Sequence, residues 1–228
     1  ALAPRPTMAR VRALGEAVAT VHRDLAAAMG TAGASEADTL RFITGLEQRM
    51  AWARQEAAGV LGELHDELQA AADRLREVRQ LGELQQIHGD LHLGQVLRGA
   101  DGGWLLLDFE GEPLRPMHER MVREPRLRDV VGMLRSFDYA AGSALQELPG
   151  ADGAAAGDWV WQRRAEFLAG YAEAAGPVDE SDPVFTALLL DKALYEVVYE
   201  VRNRPSWVAV PLEAVRALLT APPSPLAE

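Results

Sequence analysis

Residues 84–109 are the stretch of this chain where helical spacing gives way to short strand-like runs with polar chemistry set between them. "LQQIH", "GQVLR" and "WLLLDF" each read as a brief strand, and "GADGG" supplies turn glycines between the last two. Between the first two lies "HGDLHLGQ", which puts two histidines, an aspartate and a glutamine where a buried strand would otherwise continue. Around this insert the pattern is helical. Val11, Leu14, Val18, Val21 and Leu25 mark an amphipathic helix over 8–29. Ser35, with Asp38 three residues on, has the form of a capping box and opens a second, long helix to about residue 79. Residues 111–125 carry three prolines and no periodicity, which predicts an ordered, irregular loop. Helices are expected again over 126–145, 158–175, 183–204 and 211–220, with "LPGADGAAAGD" a surface loop and "APPSPLAE" a frayed tail. The fold class is mainly α with a small β insert.

A chain of 228 residues with 48% hydrophobic and 25% charged residues can bury a substantial core. No apolar run approaches the roughly 18 to 20 residues needed to span a bilayer. The opening "ALAPRPTMAR" lacks the charged-then-apolar pattern of a signal peptide, and without an initiator Met the chain is expected to be a processed product or a fragment. The absence of cysteine excludes disulfides and thiolate metal sites, and fits a cytoplasmic location. A net charge of −11 argues against nucleic acid or an anionic membrane as partner, because polyanions need clustered Lys and Arg. Lys192 is the one lysine in the chain.

The insert has the parts that phosphoryl transfer from a nucleotide needs. A carboxylate must orient an attacking hydroxyl and accept its proton, and oxygen ligands must hold Mg²⁺ against the phosphates. Asp90 is followed five residues later by Gln95, whose amide oxygen suits a hard cation, and Asp108 emerges at the end of the apolar run "WLLLD". A base, a neutral ligand and a charged ligand thus come in kinase order. His88 reads as a hydrogen-bonding support behind the loop, and His92 as a support or a phosphate contact. The pair does not suit a metal, since "GDL" between them is not helical and no third nitrogen follows. His22, His65 and His118 read as structural or exposed, and Asp129 as a cap or brace of a helix.

"HGDLHLGQVL" followed by "LLLDFEGEP" resembles the aminoglycoside-phosphotransferase-like kinases. With "RDVVGMLRSFDYA" and "DKALYEVVYEVRNRPSW" the chain is similar, within them, to the bacterial maltokinase and glucosamine kinase group. The resemblance implies Asp90 as catalytic base, Gln95 and Asp108 as Mg²⁺ ligands, and ATP as phosphoryl donor. His88, His92 and Glu110 are supporting residues. Glu110 stands where protein kinases have the Gly of D-F-G, which argues against an activation switch of their kind. The resemblance further implies a sugar acceptor: maltose giving maltose 1-phosphate, or glucosamine giving glucosamine 6-phosphate. Tyr195, Glu196, Glu200, Arg202 and Trp207 are the acceptor candidates. Carboxylates accept pairs of hydroxyl protons, and an aromatic ring covers the apolar face of a pyranose. Lys192, Glu196 and Glu200 at i, i+4, i+8 equally suit a surface ion pair on one helix face.

By the same resemblance the fold is the C-terminal lobe of a protein-kinase-like enzyme. Residues 1–80 are helical, 84–125 hold the catalytic and metal-binding loops with short strands, and 126–220 form a helical acceptor-binding region. Upstream of His88 there is no glycine-rich loop and no lysine. An N-terminal lobe outside these residues is therefore the expected partner, and the isolated chain is expected to be inactive. Two other readings stay open: an antibiotic- or choline-type phosphotransferase on the same fold, and a non-catalytic pseudokinase lobe. Intact Asp90, Gln95 and Asp108 count against the last.

Overall fold

The computed structural model describes residues 8–100, 102–112, 116–148 and 150–220. In chain order the elements are α1 (Met8–Met29), β1 (Thr31–Gly33), α2 (Glu36–Glu56), α3 (Ala58–Leu61), α4 (His65–Leu75), β2 (Glu83–Gln85), β3 (Val96–Arg98) and β4 (Trp104–Leu106). There follow α5 (Met117–Arg120), α6 (Leu127–Glu147), α7 (Gly153–Ala175), α8 (Pro183–Asn203) and α9 (Ala209–Thr220). Single 3-10 turns lie at Gly62–Leu64, Leu93–Gln95 and Pro205–Trp207. The chain forms two compact units, Ala1–Ala32 with Leu84–Val178 and Gly33–Glu83 with Asp179–Glu228.

In the first unit α1 and α7 pack at very short range. A Cβ at Gly15 would lie 2.1 Å from the Phe167 carbonyl oxygen, and one at Gly170 would lie 1.9 Å from that of Arg12. Backbones touch there because both residues lack side chains. Val11, Leu14 and Val18 of the sequence stripe are buried. One turn on the buried position passes to His22, while Val21 and Leu25 are half-buried. Val130, Leu134 and Phe137 of α6 and Phe167 and Tyr171 of α7 complete this core. The strands β3 and β4 pair antiparallel, Val96 with Leu106 and Arg98 with Trp104, closed by a turn in which Gly102 takes φ +86°. The Trp104 indole N–H donates to the Arg10 carbonyl at 3.1 Å and fastens the hairpin to α1.

The second unit is helical, with α8 packed on α2 and α9. Ser35 and Asp38 form the expected capping box at the start of α2. The long helix expected to residue 79 is instead broken after Glu56, where Ala57 takes φ −114° and is buried. A straight helix of that length would run to roughly 65 Å. The break lets α4 turn back against α2, burying Met50, Ala53, Leu61 and Leu68.

Two further expectations change. The loop expected over 148–158 ends early, because α7 begins at Gly153 with the Asp152 carboxylate accepting from the Ala154 amide. The alanines of "GAAAG" favour helix more than its glycines oppose it. The loop over 111–125 contains the one-turn α5, and Glu124 pairs with Gln85 through two backbone hydrogen bonds of 3.1 and 2.9 Å. Residues 113–115 and the tail from 221 lie outside the described residues. Among the described residues no helix is long and apolar enough to cross a membrane.

Candidate active site

The loop after β2 is built around His88. Gly89 takes φ +86°, a left-handed turn that glycine adopts without penalty, so the chain reverses directly before Asp90. The His88 ring is buried and used at both nitrogens. Nε2 donates to the Leu107 carbonyl at 2.6 Å, and Nδ1 accepts the Asp90 amide at 3.3 Å. One imidazole thereby ties the loop to the residue before Asp108, and the Phe109 ring lies against it at 4.6 Å between centroids.

Asp129, on the first turn of α6, holds the same loop from the other side. Its Oδ2 accepts the His88 amide at 2.7 Å and its Oδ1 the Gly89 amide at 2.8 Å. Gly132, one turn along, lets the Leu91 carbonyl oxygen come within 2.4 Å of where a Cβ would sit. The expectation that Asp129 caps or braces a helix is corrected: it braces the loop that carries Asp90. Burial pushes the Asp129 carboxyl up, but the bond to His22 and the Gly89 amide outweigh it, and its pKa lies below the usual range.

Gln95 and Asp108 come together. His92 shapes the 3-10 turn that carries Gln95, its Nδ1 accepting from Gly94 N at 3.0 Å and its carbonyl from Gln95 N at 2.9 Å. The Leu107 amide then donates to the Gln95 carbonyl at 2.9 Å, extending the β3–β4 ladder by one pair. Asp108 leaves the ladder with φ +61°, and its Oδ2 accepts from Gln95 Nε2 at 3.0 Å. Among the described residues it is the one non-glycine with positive φ. Asp90 and Gln95 are half-buried, and Asp108 and Glu110 are exposed. The backbone carbonyl of Glu110 accepts from Arg120 at 3.4 Å.

These residues fit Mg²⁺. A carboxylate and an amide in direct contact are hard oxygen donors, and rotating the amide presents its oxygen. Among the described residues no three His, Cys, Asp or Glu side chains are grouped to hold a metal.

The acceptor candidates lie in the second unit, on α8 and the turn after it. Glu196 and Glu200 are buried. Arg204, which the sequence reading passed over, binds Glu200 with two bonds of 2.6 and 3.0 Å and stacks on Trp207 at 4.9 Å. Arg202 meets Glu56 at 2.6 Å and lies over Trp52. Lys192 sits over the Tyr195 ring at 5.0 Å, and Asp191 takes a two-bond contact from Arg49.

The family model for "Phosphotransferase enzyme family" matches residues 2–183. The chain belongs to that family. It is 33% identical over 208 residues to "Glucosamine kinase" of Streptacidiphilus jiangxiensis, covering 87% of this chain and 46% of the relative. With "Glucosamine kinase" of Mycolicibacterium smegmatis it shares 35% over 226 residues, 92% of this chain and 53% of the relative. The solved "Glucosamine kinase in complex with glucosamine, ADP and inorganic phosphate" superposes with a TM-score of 0.77 at 31% identity, over 93% of this chain and 52% of that one. The chain spans about half the length of the curated relatives it matches.

Proposed function

We propose that this chain is the C-terminal lobe of an ATP- and Mg²⁺-dependent sugar kinase whose acceptor is glucosamine. The observation that carries the reading is the joint placement of the Asp90 loop and the Gln95–Asp108 pair, both fastened to His88. The glucosamine, ADP and phosphate named in a structural relative supply the substrate class. In the reaction an acceptor hydroxyl oxygen bonds to the γ-phosphorus, the bond from that phosphorus to the bridging oxygen of ADP breaks, and the hydroxyl proton passes to Asp90. Bound Mg²⁺ would neutralise charge on the phosphates. Gln95 and Asp108 would hold it. Asp90 orients the hydroxyl, and its half-burial limits competition from bulk water. Tyr195, Glu196, Glu200, Arg202 and Trp207 are proposed sugar contacts, with Glu196 and Glu200 as hydroxyl or amine acceptors.

The lobe assignment draws support from the half-length match and from the lack of a glycine-rich loop or lysine before His88. The test is an ATP-coupled sugar screen on the kinase that carries these residues, with the phosphorylated product identified. Glucosamine 6-phosphate is the expected product. Phosphorylation of an aminoglycoside or choline in place of sugars would replace the reading, and no nucleotide binding at all would make the chain a pseudokinase lobe. Asp90→Asn should lower turnover by about 10² to 10⁴ with the fold intact, because the amide cannot take the proton. Wild-type turnover in that variant removes Asp90 from the mechanism.

A further inference from the structure

Asp129 does not hold the catalytic loop unaided. Its Oδ2 also meets His22 Nε2 at 2.9 Å, and His22 Nδ1 meets the Tyr171 hydroxyl at 2.9 Å. His22 and Asp129 are 2% and 1% exposed, and Tyr171 is fully buried. The three residues come from α1, α6 and α7. They meet because Gly15 and Gly170 let α1 and α7 touch backbone to backbone. We infer that His22 and Tyr171 are positioning residues for phosphoryl transfer, fixing the Asp129 carboxylate that sets the His88 and Gly89 backbone and so the direction of Asp90. The inference rests on the kinase reading above.

The roles follow from the partners. Nε2 faces a carboxylate and carries its proton there. Nδ1 is then the acceptor, and the Tyr171 hydroxyl donates to it. Burial pushes that hydroxyl up to about 12, so it keeps its proton. The two amides engage one carboxylate oxygen each, and the third bond, from a ring itself held at both nitrogens, restrains the group further against turning. The backbone around His22 is fixed as well, since Gln85 Nε2 donates to its carbonyl at 2.8 Å. Gln85 stands three residues before His88 on the strand that enters the loop. Buried polar groups that merely satisfy one another would stabilise the fold without touching the rate. The two roles separate in experiment.

The variants are His22→Leu, His22→Gln and Tyr171→Phe in the kinase that carries this chain. The terminal amide nitrogen of glutamine reaches where imidazole Nε2 sits and retains the donor to Asp129. His22→Leu should lower kcat about tenfold or more, the scale of a small misplacement of a reacting group, with KM for sugar and nucleotide unchanged. Tyr171→Phe should lower kcat about fivefold, the scale of one lost hydrogen bond. Both should speed hydrogen exchange at the His88 and Gly89 amides more than at amides within α6, and His22→Gln should recover most of the rate and the protection. Unchanged kcat in Tyr171→Phe and His22→Leu overturns the inference, as does exchange at His88 and Gly89 that rises only in step with α6. If His22→Leu does not fold, Tyr171→Phe and His22→Gln decide by the same readouts. Absence of sugar phosphorylation by the wild type would sink the kinase reading instead, while the exchange rates still decide whether the buried relay holds the loop.

Discussion

Asp108 combines a proposed ligand role with an unusual backbone, φ +61°. Left-handed conformation is unfavourable for residues with a Cβ by about 1 to 2 kcal/mol, and aspartate tolerates it better than most. Here the turn follows directly after Leu107 completes its bond to Gln95, and it swings the carboxylate back onto the Gln95 amide. Two substitutions separate charge from strain. Asp108→Ala and Asp108→Gly should both raise the Mg²⁺ concentration needed for half-maximal activity, since each removes the anionic ligand. Only the alanine variant retains the backbone penalty, so Asp108→Gly should melt at the higher temperature of the two. Unchanged Mg²⁺ dependence in both would reduce Asp108 to a strand-end residue. A second residue-scale outcome concerns Tyr171. Its hydroxyl is raised from 10.0 to about 12 by burial, with Arg126 opposing and Asp129 adding to it, so above pH 10 the unfolded chain ionises before the folded one. The stability it contributes is fully present below pH 10 and is lost as pH rises through about 12. Denaturant midpoints across that window should fall more steeply in the wild type than in Tyr171→Phe, and equal slopes would remove Tyr171 as the titrating group.

At the scale of elements, glycines decide how closely helices approach. A methyl group at Gly170 would overlap the Arg12 carbonyl oxygen, which is backbone and cannot swing aside, so α1 and α7 must separate. Gly170→Ala should destabilise the chain by about 1 to 3 kcal/mol, the usual range for overpacking, read as a lower denaturation midpoint. A midpoint equal to wild type would mean the helices slide at no cost. These contacts were not legible in the sequence. Periodicity placed the helix over 8–29 and the one that became α6, and the Ser35–Asp38 spacing placed the cap, because such signals are local. Gln95 and Asp108 stand out in the sequence by their order and spacing after Asp90, but their direct contact comes from the short hairpin that carries one back to the other. The break at Ala57 was missed because the apolar spacing continues through it. His22 was read as structural or exposed because a single histidine on a helix gives no sign of partners 107 and 149 residues away. The partners of Asp129 and Glu200 were hidden for different reasons. The amides of His88 and Gly89 are backbone groups that no residue type announces, while Arg204, four residues from Glu200, has an ordinary ion-pair spacing that does not mark it out.

At the scale of the whole molecule, the proposal of a missing lobe turns on what phosphoryl transfer demands. Nearly all of its acceleration comes from positioning and from charge placed around the phosphates. On the proposed reading Asp90 is the base and Gln95 and Asp108 the oxygen ligands, yet the chain has a single lysine, Lys192, which follows Asp108 and lies on α8. Nothing before His88 has the glycine-rich pattern that covers phosphates in kinases. The purified 228-residue chain should therefore fold, since both units bury apolar cores of their own, while showing no measurable ATP-dependent phosphorylation of glucosamine. Extending it at the N-terminus with a segment that contains a glycine-rich loop and a lysine should restore turnover. Lys192→Met in that extended protein should leave turnover within about twofold of wild type, as expected when no charge at the phosphates is lost. Robust glucosamine phosphorylation by the 228 residues alone would overturn the two-lobed reading, and it would require a phosphate-binding group on α8 or elsewhere in this chain to take the place of the absent lysine.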